Sequence, residues 1–201
     1  MDTDADADLI ARSRTGDLSA FNLLVERYQT ALYSLCLRML GSQQAAEDAA
    51  QEAFISACRS LGSFRGGAFR AWLFRIAANA CYDELRRRRA RPAVSLDEPR
   101  GDDERAHDAP AAGVTMEEHM ERLELAGVLR EALGSLPPDQ RLVIVLCDVQ
   151  GLDYAEIAAV TGSSLGTVKS RISRGRHRLR LLLLARRELL PSRFRPSSEE
   201  A

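Results

Sequence analysis

Apolar residues recur at helical spacing along most of the chain. One set steps by three or four positions and would line a single helix face: Phe21, Leu24, Val25, Tyr28, Leu32, Leu35 and Met39. A second helix is predicted over residues 43–61, and a third from near Ala68 into four consecutive arginines at 86–89. The adjacent glycines Gly66 and Gly67 separate these two helices. Because strand-like alternation is weak throughout, the pattern predicts an all-α fold.

Residues 91–115 interrupt the helical pattern. They contain three prolines, two glycines and many acidic residues, with few apolar ones. This composition is typical of a flexible linker. Helical periodicity resumes near Met116 and stops before two adjacent prolines at 137–138. The predicted organisation is two small helical domains joined by a flexible acidic linker, with the domains at 8–91 and 117–185, the linker at 92–116 and a tail at 186–201.

The sharpest local pattern lies between residues 138 and 184. A short helix is predicted over residues 140–148, and Asp153 can cap the next one. A Gly-Ser pair then turns the chain, and Ser164 is placed to cap the helix that follows. The inward positions of that helix are predicted to be Leu165, Val168 and Ile172. Two short helices, a glycine turn and a second helix that is basic outside predict a DNA-binding helix-turn-helix, and the alternative is a solvated basic helix in an ordinary bundle.

Charge is strongly segregated along the chain, although the net charge is only −1. Residues 61–96 carry eight Arg and two acidic residues, a net charge of +6, and residues 97–124 carry a net charge of −7. Residues 165–187 contain seven Arg, one Lys and no acidic residue. Basic blocks of this size are candidate phosphate contacts, and the block without acidic residues is the stronger signal because an exposed helix ordinarily mixes both signs.

The sequence offers little support for catalysis, metal binding or membrane insertion. The four cysteines and three histidines are scattered, so we expect buried free thiols, no metal or cofactor site and no enzyme activity. No apolar run approaches the ~20 residues that a membrane-spanning helix needs. The N-terminus is acidic and is followed by no apolar segment, which argues against a targeting signal and predicts a cytoplasmic protein.

Aromatic and cationic residues interleave in and before the third helix. The aromatic members are Phe64, Phe69, Trp72, Phe74 and Tyr82. The cations are Arg65, Arg70, Arg75, Arg86 and Arg87. Aromatic rings beside a basic track suit single-stranded DNA, because bases stack on the rings while cations hold the phosphates. The alternative, that Phe69, Trp72 and Phe74 belong to the core, is equally compatible with the sequence.

Four motifs in series carry a resemblance to a known family. They are the stretches 20–28 (AFNLLVERY), 47–54 (EDAAQEAF), 63–79 (containing SFRG and AWLFRIA) and 151–172 (containing GLDYAEIA and GTVKSRI). In this order they resemble the extracytoplasmic-function sigma factors of bacterial RNA polymerase, especially the envelope-stress branch. The likeness covers roughly residues 8–185. It implies a sigma factor that binds core RNA polymerase and directs initiation at a subset of promoters.

The resemblance also assigns residues to three surfaces. The polymerase-binding residues would be Glu47, Asp48, Gln51 and Glu52. Contacts to the melted minus-ten strand would come from Phe64, Arg65, Phe69, Trp72, Arg75, Asn79, Tyr82, Asp83, Arg86 and Arg87. The duplex minus-35 element would be bound by Ser164, Thr167, Lys169, Ser170, Arg171, Arg174 and Arg176. Family members are usually controlled by an anti-sigma factor, so we expect such a partner here.

Two questions stay open at this point. The acidic linker could thread through a basic channel of the polymerase or could be a solubilising tether. Two rival functions also remain, a helix-turn-helix regulator that acts without polymerase and a sigma mimic that sequesters an anti-sigma factor. The first rival does not explain the motif at 47–54, and the second does not explain the basic residues kept on both DNA-facing helices.

Overall fold

The computed structural model describes residues 3–90, 115–186 and 188. Within them the secondary structure is helical and contains no strand, so the predicted all-α fold is confirmed. The predicted linker at 92–116 lies outside the described residues except for its last two positions. Apart from Arg186 and Glu188, the same holds for the predicted tail at 186–201.

Four helices form the N-terminal bundle: α1 (Thr3–Arg14), α2 (Leu18–Leu40), α3 (Gln43–Ser60) and α4 (Phe69–Ala90). A short 3₁₀ turn, Leu61–Ser63, follows α3. The sequence pattern predicted the last three helices but not α1. Helix α1 packs against α2, where the Asp6 carboxylate accepts hydrogen bonds from Arg27 and from the Tyr28 hydroxyl.

The ends of α2 and α3 are defined by capping residues. The Asp17 carboxylate accepts a hydrogen bond from the Ala20 amide at 3.1 Å and starts α2. Gly41 ends that helix with φ +71°, a left-handed conformation that glycine adopts without a steric penalty. Ser42 then caps α3 through the Ala45 amide. Because only the two capping residues, Gly41 and Ser42, separate α2 from α3, the two helices pack as neighbours.

The core of the N-terminal bundle contains the apolar face predicted for α2. Leu24, Leu32, Leu35 and Met39 are fully buried with Phe74 of α4. The buried positions of α3 are all alanines, Ala45, Ala46, Ala49, Ala50, Ala53 and Ala57, and Phe54 is partly buried against the same core. Alanines allow the helix to approach its neighbours closely, so the whole polar side of α3 is left for solvent.

Four further helices form the C-terminal bundle: α5 (Met116–Gly134), α6 (Pro138–Ile144), α7 (Tyr154–Thr161) and α8 (Leu165–Ala185). A π-helical turn, Val145–Val149, extends α6, so that these two elements together replace the single short helix that was predicted. The predicted caps Asp153 and Ser164 are confirmed, since their side chains accept from the Glu156 and Thr167 amides. Gly162 makes the turn between α7 and α8 with φ +63°.

Helix α8 buries Val168 and Ile172, as predicted, but not Leu165. The prediction that Leu165 faces inward is wrong, because its side chain is 50% exposed. The helix does gain a third buried position at Gly175, where a Cβ atom would lie 2.9 Å from Ile144 Cγ1. The missing side chain therefore lets α6 and α8 cross closely.

The two bundles are in contact. Helix α4 packs against α7, and α2 packs against α5 and α6. Polar bonds cross this boundary. The Gln150 amide donates to the Ala31 carbonyl at 3.2 Å, and the Arg70 guanidinium donates to the Gln150 carbonyl at 2.5 Å. We call this contact the docked arrangement.

Arg141 is a buried charged side chain within the docked arrangement, with an exposed fraction of 8%. Its guanidinium donates to the Met39 carbonyl at the end of α2 and to the Gly134 and Leu136 carbonyls at the end of α5. Helix C-termini carry partial negative charge, so a cation is favoured there. Burial nevertheless lowers the pKa of Arg141, and the nearby Arg89 lowers it further.

Candidate polymerase and promoter interfaces

The polar side of α3 carries the four residues predicted to bind polymerase, Glu47, Asp48, Gln51 and Glu52. All four are exposed, and we call them the acidic face. Ile55 continues the same side one turn later with 38% exposure. Carboxylates surrounding one accessible apolar side chain can dock on a basic protein surface that has an apolar centre.

The loop before α4 is held from behind by a residue that the sequence did not indicate. The Arg14 guanidinium of α1 donates to the carbonyls of Leu61 and Phe64. These bonds tie the loop to α1, and the Leu61 carbonyl also accepts the 3₁₀ hydrogen bond from the Phe64 amide. No motif marks Arg14, because its role depends on α1 folding back against the 3₁₀ turn.

The aromatic residues near this loop form a packed cluster. The Phe64 ring lies 5.6 Å from that of Phe69 and 5.3 Å from that of Trp72, and the Tyr28 ring lies 5.6 Å from that of Phe69. Phe64 and Phe69 are 6% and 4% exposed, so their rings are core residues and do not offer a face to a base. Trp72, half-buried at the edge, is the cluster's accessible member. The exposed Arg65 lies in the loop itself.

Helix α4 carries five of the predicted minus-ten residues on the outside of the N-terminal bundle, and we call these five the polar stripe of α4. Arg75, Asn79, Asp83, Arg86 and Arg87 are exposed. A surface pocket is lined by Asn79, Tyr82, Asp83 and Arg86. The Asp83 carboxylate pairs with Arg86, and Glu84 pairs with Arg87 at 3.4 Å. A phenol ring beside an amide, a carboxylate and a guanidinium can stack on a base and hydrogen-bond its edge.

Tyr82 also lies against the C-terminal bundle. Burial raises the pKa of its hydroxyl, and the neighbouring Asp139 carboxylate raises it further. The positive charge of Arg171 on α8 lowers the pKa of the Tyr82 hydroxyl. In the docked arrangement, therefore, the pocket residue Tyr82 is partly buried and lies near Asp139 and Arg171 of the C-terminal bundle.

The seven predicted minus-35 residues lie at the N-cap of α8 and along the helix, and they fall into three sets that differ in what they contact. Lys169 and Arg174 are exposed on its surface, and Ser164, Thr167 and Ser170 bond to one another or to the first turn. Arg171 and Arg176 are engaged within the bundle. Arg171 pairs with Asp139 at 3.1 Å and donates to Ser163 at 2.9 Å, while Arg176 pairs with Asp148. These two arginines hold α8 against α6 and the π-helical turn.

The described residues contain no cluster of three or more His, Cys, Asp or Glu side chains suited to a metal ion. In the same residues no helix is long and apolar enough to cross a membrane. Cys36 and Cys81 are buried, and the thiol pKa of Cys81 is raised by a hydrogen bond to Cys36 and by burial.

Comparison with known proteins agrees with this architecture. Residues 24–91 match the family Sigma-70 region 2, and residues 126–179 match Sigma-70, region 4. The chain is 41% identical over 169 residues to the ECF RNA polymerase sigma factor SigE of Mycolicibacterium smegmatis, covering 83% of this chain but 63% of that relative. It is 41% identical over 170 residues to the ECF RNA polymerase sigma-E factor of Escherichia coli K12, covering 84% and 88%.

A solved structure extends the likeness to both bundles. It contains the sigma factor RpoE of Bartonella quintana in complex with the anti-sigma factor NepR. It matches with a TM-score of 0.63 and 28% identity, covering 81% of this chain and 96% of that one. The two sigma-70 regions follow one another in the chain in the order of the two bundles. The chain belongs to the ECF sigma factors of RNA polymerase, as its motifs predicted.

Proposed function

We propose that this chain binds core RNA polymerase through the acidic face of α3 and directs it to promoters through α4 and α8. The observation that supports the polymerase contact is the exposure of all four acidic-face residues. The buried positions on the opposite side of their helix are alanines. The pocket on α4 would capture a base of the melted minus-ten strand. The outer surface of α8 would bind the duplex minus-35 element.

Transcription with purified core polymerase tests this function directly. On a template library, start sites that appear only with the chain and share two motifs at fixed spacing are expected. DNA binding by the chain alone, without new start sites, would favour a regulator that acts without polymerase. Binding to neither DNA nor core polymerase would favour a sigma mimic.

The polymerase contact predicts the effect of a charge reversal. Asp48→Arg places a cation against a basic surface, so we expect the affinity for core polymerase to fall on the order of 100-fold. Glu26→Arg on α2 is the matched control, because Glu26 is equally exposed and the charge change is the same. Fluorescence titration of labelled protein with core polymerase measures both. Equal losses in the two variants would remove the acidic face from the interface.

The pocket on α4 predicts a defect in promoter opening. Base stacking on an aromatic ring is worth about 1–3 kcal/mol, so Tyr82→Ala should slow open-complex formation about tenfold. Tyr82→Phe keeps the ring and should open promoters almost like the unmodified protein. A template with a mismatched minus-ten segment should reduce the Tyr82→Ala defect, because the bases of that segment are already unpaired. Permanganate reactivity of unpaired thymines follows the reaction, and normal opening by Tyr82→Ala would contradict the role of the ring.

We also propose that an anti-sigma factor controls this chain in the cytoplasm. The support is the match to RpoE in its complex with NepR, which extends over both bundles. The partner would hold the bundles in the docked arrangement, in which Tyr82 is partly buried. Co-purification of the tagged chain with products of neighbouring genes, followed by transcription assays with and without the captured protein, tests this proposal.

A further inference from the structure

The first turn of α8 presents an apolar side chain to solvent. Leu165 is 50% exposed beside the capping residue Ser164 and the exposed Gly166. The fold does not bury this leucine fully, since half of its surface is left in contact with solvent. In a helix-turn-helix, however, the N-terminal residues of the second helix are the ones that reach base edges.

Leu165 begins a row of exposed positions four residues apart, Leu165, Lys169 and Ser173, which we call the outer row. Residues spaced by four lie above one another on a helix surface. The row lies beside the buried Val168 and Ile172 on the surface of α8, but all three of its members are exposed to solvent. It is therefore free to enter a groove.

The chemistry of the outer row is matched to base edges. A lysine can donate to guanine O6 and N7, and a serine can bond to any base. The apolar group that an aliphatic side chain can contact in the major groove is the C5 methyl of thymine. Arg171 and Arg176, in contrast, are engaged with Asp139 and Asp148 of their own bundle.

We propose that Leu165 is a specificity-determining residue that contacts a thymine methyl group in the minus-35 element, next to the base pair reached by Lys169. The inference rests on the proposed binding of that element by α8. It adds an apolar readout to a helix whose other candidate contacts are cations and hydroxyls. The neighbouring Gly166, which carries no side chain, leaves space for the groove wall beside Leu165.

The test uses the full chain assembled with core polymerase on a promoter found by the library assay. Each thymine of the minus-35 element is replaced in turn by deoxyuridine, which removes only the methyl group. One replacement should lower transcription at limiting holoenzyme about three- to fourfold, the value of one buried methyl group. Leu165→Ala should lower transcription from the thymine template by a similar factor and should show no further loss with deoxyuridine at that position.

Leu181→Ala is the matched control, because Leu181 lies on the same helix and is 53% exposed. It should keep the full response to deoxyuridine. Leu165→Gln, which keeps the side-chain size, should behave like Leu165→Ala. The proposal is overturned if no thymine position responds to deoxyuridine, or if Leu165→Ala retains the response. If scrambling the whole minus-35 element leaves transcription unchanged, the proposed role of α8 itself has failed.

Discussion

Asp17 shows how one side chain can link local structure to pH. Its carboxylate caps α2 and also accepts hydrogen bonds from the Ser19 hydroxyl and from the Arg12 guanidinium. The Nε and Nη2 atoms of Arg12 lie 3.1 and 2.8 Å from Asp17 Oδ2. The bond from Ser19 and that from Arg12 hold the pKa of Asp17 well below its ordinary value of 3.8. The ionised form is therefore the one that the folded chain prefers. Its stabilising contribution is complete above about pH 4 and is lost as the pH falls below that value.

This lowered pKa predicts the behaviour of Asp17→Asn. Asparagine keeps an oxygen for the cap but has no charge to titrate. We expect the variant to melt at a lower temperature than the unmodified chain at pH 7, and the difference to shrink between pH 4 and pH 2. Thermal unfolding followed by circular dichroism measures it. A difference that stays constant over this range would show that the charge of Asp17 contributes nothing.

Residue-level roles were predictable where exposure follows from spacing and were not where packing decides. The resemblance to the family assigned the acidic face and the polar stripe of α4, and helical periodicity accounts for their exposure, because their opposite sides are apolar. Phe64 and Phe69 could equally have faced a base or the core, and only the neighbouring Tyr28 and Trp72 rings place them in the core. Leu165 was assigned inward because it continues the spacing of Val168, but in the first turn of α8 its side chain is 50% exposed.

At the level of helices, the crossing of α6 and α8 depends on Gly175. Glycine within a helix costs about 1 kcal/mol relative to alanine, so an internal glycine needs a compensating reason. Here the reason is space. A Cβ atom would lie 2.9 Å from Ile144 Cγ1 and 3.5 Å from the Gln140 carbonyl oxygen. Adding a side chain must push the two helices apart or displace Ile144.

Gly175→Ala should consequently destabilise the chain despite its better helix propensity. Overpacking costs about 1–3 kcal/mol, which exceeds the propensity gain, so we expect a net loss of about 1 kcal/mol in the free energy of unfolding. Gly166→Ala in the same helix meets nothing closer than Ser164 Oγ at 3.9 Å and should cause no loss. Urea denaturation compares the two. A stabilised Gly175→Ala variant would mean that the crossing relaxes freely.

Three of the four N-terminal helices could be predicted from sequence, and α1 could not. Helix α1 contains many aspartates and only a short apolar segment, with Leu9 and Ile10 buried against the bundle. Such a helix is stabilised by its neighbours more than by its own pattern, as the bonds from Arg27 and Tyr28 to Asp6 show. The π-helical turn at Val145–Val149 was likewise outside what periodicity of 3.6 can indicate.

For the whole molecule, the docked arrangement is the feature that sequence patterns did not reveal. Its bonds join residues about a hundred positions apart, such as Gln150 to Ala31 and Arg141 to Met39. Neither Gln150 nor Arg141 belongs to a motif that could have suggested a partner. In this arrangement Tyr82 of α4 lies near Asp139 and Arg171 of the C-terminal bundle, whose charges act on its pKa.

Removing the Gln150 side chain should loosen the docked arrangement. The side chain bonds to the Ala31 carbonyl at 3.2 Å and to the Ser34 hydroxyl at 3.4 Å. Each bond contributes about 0.5–1.5 kcal/mol, so Gln150→Ala should raise the undocked fraction roughly tenfold. Single-molecule energy transfer between dyes on α3 and α8 measures that fraction. Gln44→Ala, which loses a bond to Asp48 within one helix, is the control and should leave the fraction unchanged.

The docked arrangement also has a consequence for ionic strength. The bonds from Arg141 and Gln150 end on uncharged oxygens, so dissolved ions do not screen them as they screen ion pairs. The charge of Arg89 on α4 lowers the pKa of Arg141 on α6, so the two like charges repel across the boundary, and ions weaken that repulsion. The affinity for promoter DNA falls as the salt concentration rises, because each contact to a DNA phosphate displaces a counterion. Added salt therefore favours docking and disfavours DNA together, and the affinity of the free chain for DNA should fall more steeply with salt than its phosphate contacts alone require.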